Sequence, residues 1–168
     1  CIMQLMQSLA ILEETALSIW LRESGAAFFT SLTVHSLAMA LVVGINFAIA
    51  FRLIGIVPKF DLNPFLKFYR LHWVAVVVIF LSGLALLLAY PAKALTNPVF
   101  YLKFSLLTIG LIISGWLQNQ IQTGRQPGLA QKKVFWIAVA SLLVWIGTIT
   151  TGRFLAYTNS ILLASRFF

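Results

Sequence analysis

The chain has 168 residues, of which 61% are hydrophobic and 10% are charged, and its formal net charge is +8. This composition excludes an ordinary soluble domain. The twelve Lys and Arg residues flank the apolar segments and do not gather on one soluble face, so the positive charge does not indicate nucleic-acid binding.

Residues 1–25 come first in the chain and are too polar to cross a membrane. Their apolar spacing predicts an amphipathic helix that lies in the outer interface. The apolar positions are Leu5, Leu9, Leu12, Ala16, Ile19 and Trp20. Cys1 is the only cysteine, which excludes an internal disulfide. It has three interpretations: the lipid-bearing first residue of a processed lipoprotein, a truncated start, or a codon upstream of a start at Met3.

Four apolar runs follow, and each is long enough to cross the hydrocarbon core as a helix of about 20 residues. They cover about residues 26–51, 71–90, 98–118 and 134–152. Because the connections are short, we predict an all-α, integral membrane four-helix up-down bundle over residues 26–168. Ser24 and Gly25 mark the start of the first span and Gly55 its end, and Asn97-Pro98 opens the third.

The charge of the connections predicts the topology. The connection between spans one and two and that between spans three and four are basic, with Asp61 as their one acid. Short basic loops stay cytoplasmic. We therefore expect a multi-pass protein of the bacterial inner membrane with both termini on the periplasmic side.

His35 interrupts the first span. An imidazole in hydrocarbon is costly, so such a residue usually faces the bundle interior and has a function there. His35 is nine residues into the span, or about 13 Å deep at a rise of 1.5 Å per residue. It shares a helical stripe with Ser31, Met39, Val42 and Asn46.

The residues expected at the level of His35 and nearer the outer surface predict a pocket for haem b. His35 would bind the iron, the small Gly83 would face the ring, and Lys103 and Arg153 would neutralise the propionates. The complete predicted set is His35, Met39, Gly83, Tyr90, Lys103, Trp145 and Arg153. Two alternatives remain: His35 simply hydrogen-bonds a neighbouring helix, and the two cations snorkel to the headgroups.

His72 is the second histidine, near the cytoplasmic end of span two. If spans one and two are antiparallel, it lies level with Asn46 or Phe47, roughly 15–18 Å from His35 in depth. One haem needs its two axial nitrogens only about 4 Å apart, so this pair should not hold one haem within one chain. A second metal site at His72, or ligands completed by another subunit, remain open.

Other chemistries fit less well. Proton transport usually leaves carboxylates inside the membrane, and every acid here lies outside the spans. A copper pathway needs more Met, His or Cys ligands, and no Ser-His-Asp, HExxH or phosphate-loop pattern is present. We do not expect a stand-alone enzyme.

The segment RESGAAFFTSLTVHSLAMALVVGINFAIAFRLIGI resembles the first span of an uncharacterised bacterial four-helix membrane family. The matching elements are Glu23-Ser24, His35 with Leu37 and Ala38, Gly44, and Arg52-Leu53 with Gly55. SGLALLLAYP and NPVFYLKFSLL resemble the end of its second span and the start of its third. More distantly, the layout is similar to the CopD membrane domain and to HemJ-type proteins. The HemJ resemblance implies haem binding, with His35 as ligand and Lys103 in the pocket, whereas Leu71-His72-Trp73 matches neither relative.

Together these observations favour a small b-type haem protein that transfers electrons or senses redox state, beside a protein partner or as a homo-oligomer. A cofactor-free accessory subunit of a larger membrane complex is the alternative. A chlorophyll-type pigment bound through His35 or His72 is a third hypothesis, and HemJ-like oxidase activity is a fourth.

Overall fold

The computed structural model describes residues 9–57, 59, 65–122 and 132–164. Within these ranges the helices are α1 (Ala16–Glu23), α2 (Gly25–Ile54), α3 (Phe65–Ala89), α4 (Pro91–Leu95), α5 (Pro98–Gln122) and α6 (Lys132–Ala164). Four of them, α2, α3, α5 and α6, are long and apolar enough to cross a membrane. The four predicted spans are confirmed, and the chain is an all-helical, multi-pass membrane protein. Cys1 and residues 60–64 and 123–131 of the two basic connections lie outside the described residues.

The ends of α2 follow the chemistry of its flanking residues. The Ser24 hydroxyl accepts a hydrogen bond from the Ala27 N–H at 3.3 Å, as an N-cap serine does. Gly55 adopts a left-handed conformation with φ 92° and closes the last turn. Both predicted boundaries of the first span are confirmed.

The connection after α3 contains a short helix that the sequence pattern did not predict. α4 begins at Pro91. The N–H groups of a first helical turn have no acceptor within the helix, so proline can occupy this position without the loss of a hydrogen bond. The Asn97 side chain then accepts from the Val99 N–H at 2.9 Å where α5 begins, in agreement with the predicted start at Asn97-Pro98. At the other end of the chain, α6 continues well beyond the predicted residue 152.

The N-terminal segment is helical over residues 9–13 and again over α1, with a break at Thr15. Thr15 is extended, and its hydroxyl donates to the Leu12 carbonyl at 2.7 Å. The buried Ser18 donates to the Leu88 carbonyl at 2.7 Å, and the Glu13 carboxylate accepts from the Ala92 N–H at 3.2 Å. The segment therefore packs on the end of α3 and the start of α4. Leu12 and Trp20 of the predicted apolar face are exposed, whereas Leu9 is buried.

The four long helices pack chiefly as α3 on α2, α2 on α6 and α6 on α5, and α3 and α5 touch more sparsely. Contacts pair residues in opposite order along α2 and α3, because His35 meets Ser82 whereas Asn46 meets His72. The same holds for α5 and α6. There the contact pairs are Lys103 with Gly152, Leu106 with Gly147 and Gly110 with Trp145.

Two apolar clusters fill the bundle. The first contains Ile45, Ile49, Ala50, Leu53, Tyr69, Leu117, Ile121, Val134 and Ala138. The second contains Ala38, Val42, Val43, Ala75, Val76, Ile79, Leu107 and Trp145. Tyr69 near the start of α3 is not an interface anchor, because its side chain is 3% exposed and lies inside the first cluster. Each cluster combines side chains of all four long helices, so the apolar core runs along the centre of the bundle.

Candidate functional site

The His35 imidazole is half-buried and is oriented by Ser82 on the neighbouring helix α3. His35 Nδ1 lies 3.0 Å from Ser82 Oγ. The Ser82 hydroxyl has one proton, and the Val78 carbonyl accepts it at 2.6 Å, so the serine oxygen accepts from His35 Nδ1–H. A neutral imidazole with its proton on Nδ1 has its lone pair on Nε2, the geometry of a metal-ligating histidine with an oriented ring.

Gly83 provides the space for this imidazole. A Cβ added at Gly83 would lie 3.3 Å from His35 Cε1 and 3.7 Å from Nδ1. The sequence predicted that Gly83 and His35 lie at one level, and they are in contact. The missing side chain makes room for the histidine ring itself, so it is the packing of α2 on α3 that requires a small residue here.

Lys103 lies at the same level on α5. A Cβ added at Gly152 of α6 would lie 3.5 Å from Lys103 Cε and 3.6 Å from Nζ, so the lysine stem runs along the glycine. Lys103 is eleven residues from Ser114 on α5, as His35 is from Asn46 on α2, and Asn46 and Ser114 are in contact, so Lys103 and His35 lie at one level. None of the four long helices contains an acidic residue, so no acid within the spans neutralises this cation.

His35, Gly83, Lys103 and Gly152 form a set that we call the histidine–lysine layer, with one residue from each long helix. Its donor set fits a b-type haem, because it provides an oriented imidazole with a lone pair on Nε2 and a half-buried cation without a carboxylate partner. The layer thus brings together the metal ligand and one of the two cations that the sequence predicted.

A second polar layer crosses the bundle between the two apolar clusters. The Asn46 side-chain amide donates to the Val42 carbonyl at 2.8 Å and to His72 Nε2 at 3.1 Å. Its carbonyl oxygen accepts from the Ser114 hydroxyl. Ser141 on α6 lies level with Ser114, one turn beyond the contact of Gly110 with Trp145. Asn46, His72, Ser114 and Ser141, the asparagine layer, are each 3% exposed or less.

The Val42 carbonyl fixes the orientation of the asparagine amide, since a flipped amide would place its oxygen against that carbonyl. His72 Nε2 is therefore an acceptor, and the proton of the neutral ring is on Nδ1. In this arrangement His72 has no lone pair left for a metal ion. Among the described residues no group of three or more His, Cys, Asp and Glu side chains is placed to hold a metal ion.

The family of the chain follows from its sequence. Residues 14–158 match the model of a family of unknown function, DUF6644. The chain belongs to this family. The match is consistent with the predicted membership of an uncharacterised family, and no link to CopD or to HemJ-type proteins is shown. No curated protein and no solved structure matches this DUF6644 chain.

Four other residues predicted for the cofactor site of the DUF6644 chain lie away from its histidine–lysine layer. Met39 packs against the second apolar cluster, and the fully buried Trp145 is part of that cluster. Tyr90 is 36% exposed and precedes α4, where it packs against the edge of Phe28. Arg153, next to Gly152, is exposed. The second apolar cluster therefore borders the layer on one side, and the polar residues Tyr90 and Arg153 lie outside the layer.

The depth arithmetic for the two histidines is supported by their partners. Ser82 and His72 are ten residues apart on one helix, which is about 15 Å at 1.5 Å per residue. His72 meets Asn46, as predicted. The two imidazoles belong to separate layers, so a single haem held between them is excluded within one chain.

Sequence reasoning missed Ser82 and Gly152. Serines in membrane helices usually bond their own backbone, so Ser82 gave no signal beyond being small and adjacent to Gly83. Gly152 gave no signal because its contact with Lys103 depends on the register of α6 against α5. An apolar groove of about 690 Å³ also runs along α3, α4 and α5, but none of the predicted site residues lines it.

Proposed function

We propose that this chain is a small b-type haem protein of the bacterial inner membrane that transfers electrons or senses redox state. The observation that carries this proposal is the contact of 3.0 Å between His35 Nδ1 and Ser82 Oγ, which orients the imidazole and leaves Nε2 as the nitrogen available to a metal, in the layer that also contains Lys103. When bound, the haem iron supplies one-electron redox chemistry, and the protein tunes it through the axial ligand and nearby charges.

The residues of the histidine–lysine layer have separate roles in this proposal. His35 is the axial ligand, and Ser82 holds its ring in one tautomer. The Lys103 ammonium neutralises a propionate, and Arg153, one residue beyond the glycine that Lys103 contacts, is the second cation available at the exposed edge. Met39 and Trp145 contribute to the apolar packing next to the layer. We propose no second axial ligand from this chain.

The proposed topology is an up-down bundle with both termini on the periplasmic side. The opposite order of contacts along α2 and α3, and along α5 and α6, supports the up-down arrangement. The cations near the ends of α2, α3 and α6 support a cytoplasmic location for the two basic connections. These cations are Arg52, Lys67, Arg70, Lys132 and Lys133.

The test is an absorption spectrum of the protein purified in mild detergent, oxidised and reduced, followed by extraction of the pigment. We expect a Soret band and extracted haem b, whereas a chlorophyll-type extract would replace haem with a magnesium pigment. His35→Ala should abolish the band. The matched control is His72→Gln, which should retain it, since the lone pair of His72 is already used by Asn46.

A Soret band that survives in His35→Ala would rule out His35 as the ligand. Gel filtration and far-UV circular dichroism of both variants establish that the bundle is intact. Lys103→Met should retain the band but release haem more readily, because the propionate loses its cation. If Lys103→Met retained haem as well as the unsubstituted protein, Lys103 would not be part of the haem site.

A second candidate function is a cofactor-free accessory subunit of a larger membrane complex. The specific observation in its favour is that each histidine already makes a hydrogen bond between helices, His35 with Ser82 and His72 with Asn46. Such bonds stabilise membrane bundles without any cofactor. Colourless protein that co-migrates with a large complex from solubilised membranes would support this function over haem binding.

A further inference from the structure

Four buried polar atoms have no hydrogen-bond partner among the described residues: Tyr69 Oη, His72 Nδ1, Ser141 Oγ and Trp145 Nε1. Tyr69 lies in the first apolar cluster, and the other three belong to the asparagine layer or to the second apolar cluster. The side chains of these three are 1%, 0% and 0% exposed, respectively. Inside a membrane neither bulk water nor lipid tails can satisfy such groups, so a partner within the bundle is needed.

Ser141 differs from the other hydroxyls of the spanning helices. The hydroxyls of Ser82, Ser105, Thr108, Thr148, Thr150 and Thr151 each donate to the carbonyl four residues earlier in their own helix. That of Ser114 donates to Asn46 and also lies 2.8 Å from the Gly110 carbonyl. Ser141 makes no such bond to its own helix, although it is fully buried. Its hydroxyl is therefore available to a group in the bundle interior.

The three side chains lie within about one helical turn of one level of the bundle interior. Ser141 is level with Ser114, which is linked through Asn46 to His72. Trp145 is one turn from Ser141, and its Cε2 atom, which is bonded to Nε1, would lie 3.1 Å from a Cβ at Gly110. The Gly110 carbonyl accepts from Ser114 at 2.8 Å, so the indole N–H lies beside the asparagine layer.

We infer that the asparagine layer binds one internal water molecule, held by His72 Nδ1–H, Trp145 Nε1–H and Ser141 Oγ. The water accepts from the two N–H donors and donates to the serine oxygen, which gives it the three hydrogen bonds typical of buried water. No charged side chain is found in this layer, and Lys103 is eleven residues from Ser114 along α5, so a neutral ligand fits better than an ion.

The first test is the sign of a stability change. If Ser141 lacks a ligand, Ser141→Ala removes an unpaired buried hydroxyl and should raise the unfolding midpoint. With the water bound, the same substitution removes a hydrogen bond and should lower it. The control is Ser105→Ala, at an exposed serine that bonds its own helix. We expect Ser141→Ala to be less stable than this control, and equal or greater stability overturns the inference.

The second test does not depend on a stability measurement. The method is nuclear magnetic resonance of protein labelled with ¹⁵N-histidine, and the spectrum of His35→Ala assigns the signals of the two rings. We expect the proton of the His72 ring on Nδ1, and we expect magnetisation transfer from water to this proton. The transfer should be lost in Ser141→Ala. A proton on Nε2, or no transfer in the unsubstituted protein, overturns the inference. A spectrum that changes between chloride and sulfate buffers would assign the site to an anion, which also overturns it. Haem-free protein serves equally well, because the site is independent of the histidine–lysine layer.

Discussion

Asn46 is the position at which one substitution tests the internal polar structure of the bundle. Its amide joins three of the long helices, because it donates to His72 on α3 and accepts from Ser114 on α5. We predict that Asn46→Leu destabilises the protein by about 2–4 kcal/mol. Leucine has the same number and branching of side-chain heavy atoms as asparagine and leaves no cavity, so the loss of hydrogen bonds should dominate the effect.

The magnitude comes from two contributions. Hydrogen bonds between helices contribute about 0.6 kcal/mol each on average in a membrane protein, so the loss of two costs about 1.2 kcal/mol. His72 Nε2 is then a buried acceptor without a donor, which costs about 1–3 kcal/mol more. Ser114 adds no such penalty, because its hydroxyl still has the Gly110 carbonyl as acceptor at 2.8 Å.

The assay is equilibrium unfolding in mixed detergent micelles with increasing dodecyl sulfate, followed by far-UV circular dichroism. His72→Leu and the double variant complete a mutant cycle. In the His72→Leu background, Asn46→Leu leaves no buried imidazole acceptor without a donor. Asn46→Leu should therefore reduce the free energy of unfolding by about 1–3 kcal/mol less than it does when His72 is present. An Asn46→Leu protein within about 0.5 kcal/mol of the original, or strictly additive substitutions, would refute the proposed network.

Two further predictions concern close contacts. Gly110→Ala should lower the unfolding midpoint, because the new Cβ would lie 3.1 Å from the fully buried indole of Trp145 and overpacking costs about 1–3 kcal/mol. The control is Gly44→Ala, whose new Cβ would have no atom within 4 Å and which should be neutral or stabilising. A lower midpoint for Gly44→Ala than for Gly110→Ala would contradict this packing. Ser82→Ala should weaken haem binding about 10–100-fold by freeing the His35 ring, as measured by haem titration, and unchanged affinity would show that this hydrogen bond does not orient the ligand.

The spans and the level of the two histidines could be predicted from the sequence. Hydropathy identifies helices that must satisfy their own backbone hydrogen bonds in lipid, and short connections make neighbours antiparallel. Together these facts predict that His72 lies level with Asn46 or Phe47 and that His35 lies level with Gly83. In the structure His72 contacts Asn46 and His35 contacts Gly83.

The orientation of the side chains could not be predicted in the same way. Tyr69 is a tyrosine near the end of a span, where interface anchors are common. Its side chain is nevertheless buried, because the start of α3 packs into the first apolar cluster. Tyr90 follows α3 in sequence, but α4 begins directly after it and leaves its ring at the surface. In both cases the decisive fact is which helix face packs inward, and a span that is apolar on all sides does not encode this.

The two histidines show how one residue type acquires two chemistries in the same bundle. Both rings have their proton on Nδ1, but the hydrogen bonds use opposite nitrogens. Ser82 takes the proton of His35 and leaves its lone pair on Nε2, whereas Asn46 uses the lone pair of His72 and leaves its N–H on Nδ1. The first ring can therefore ligate a metal and the second can only donate. A membrane histidine is thus better classified by the partner of its second nitrogen than by its depth in the span.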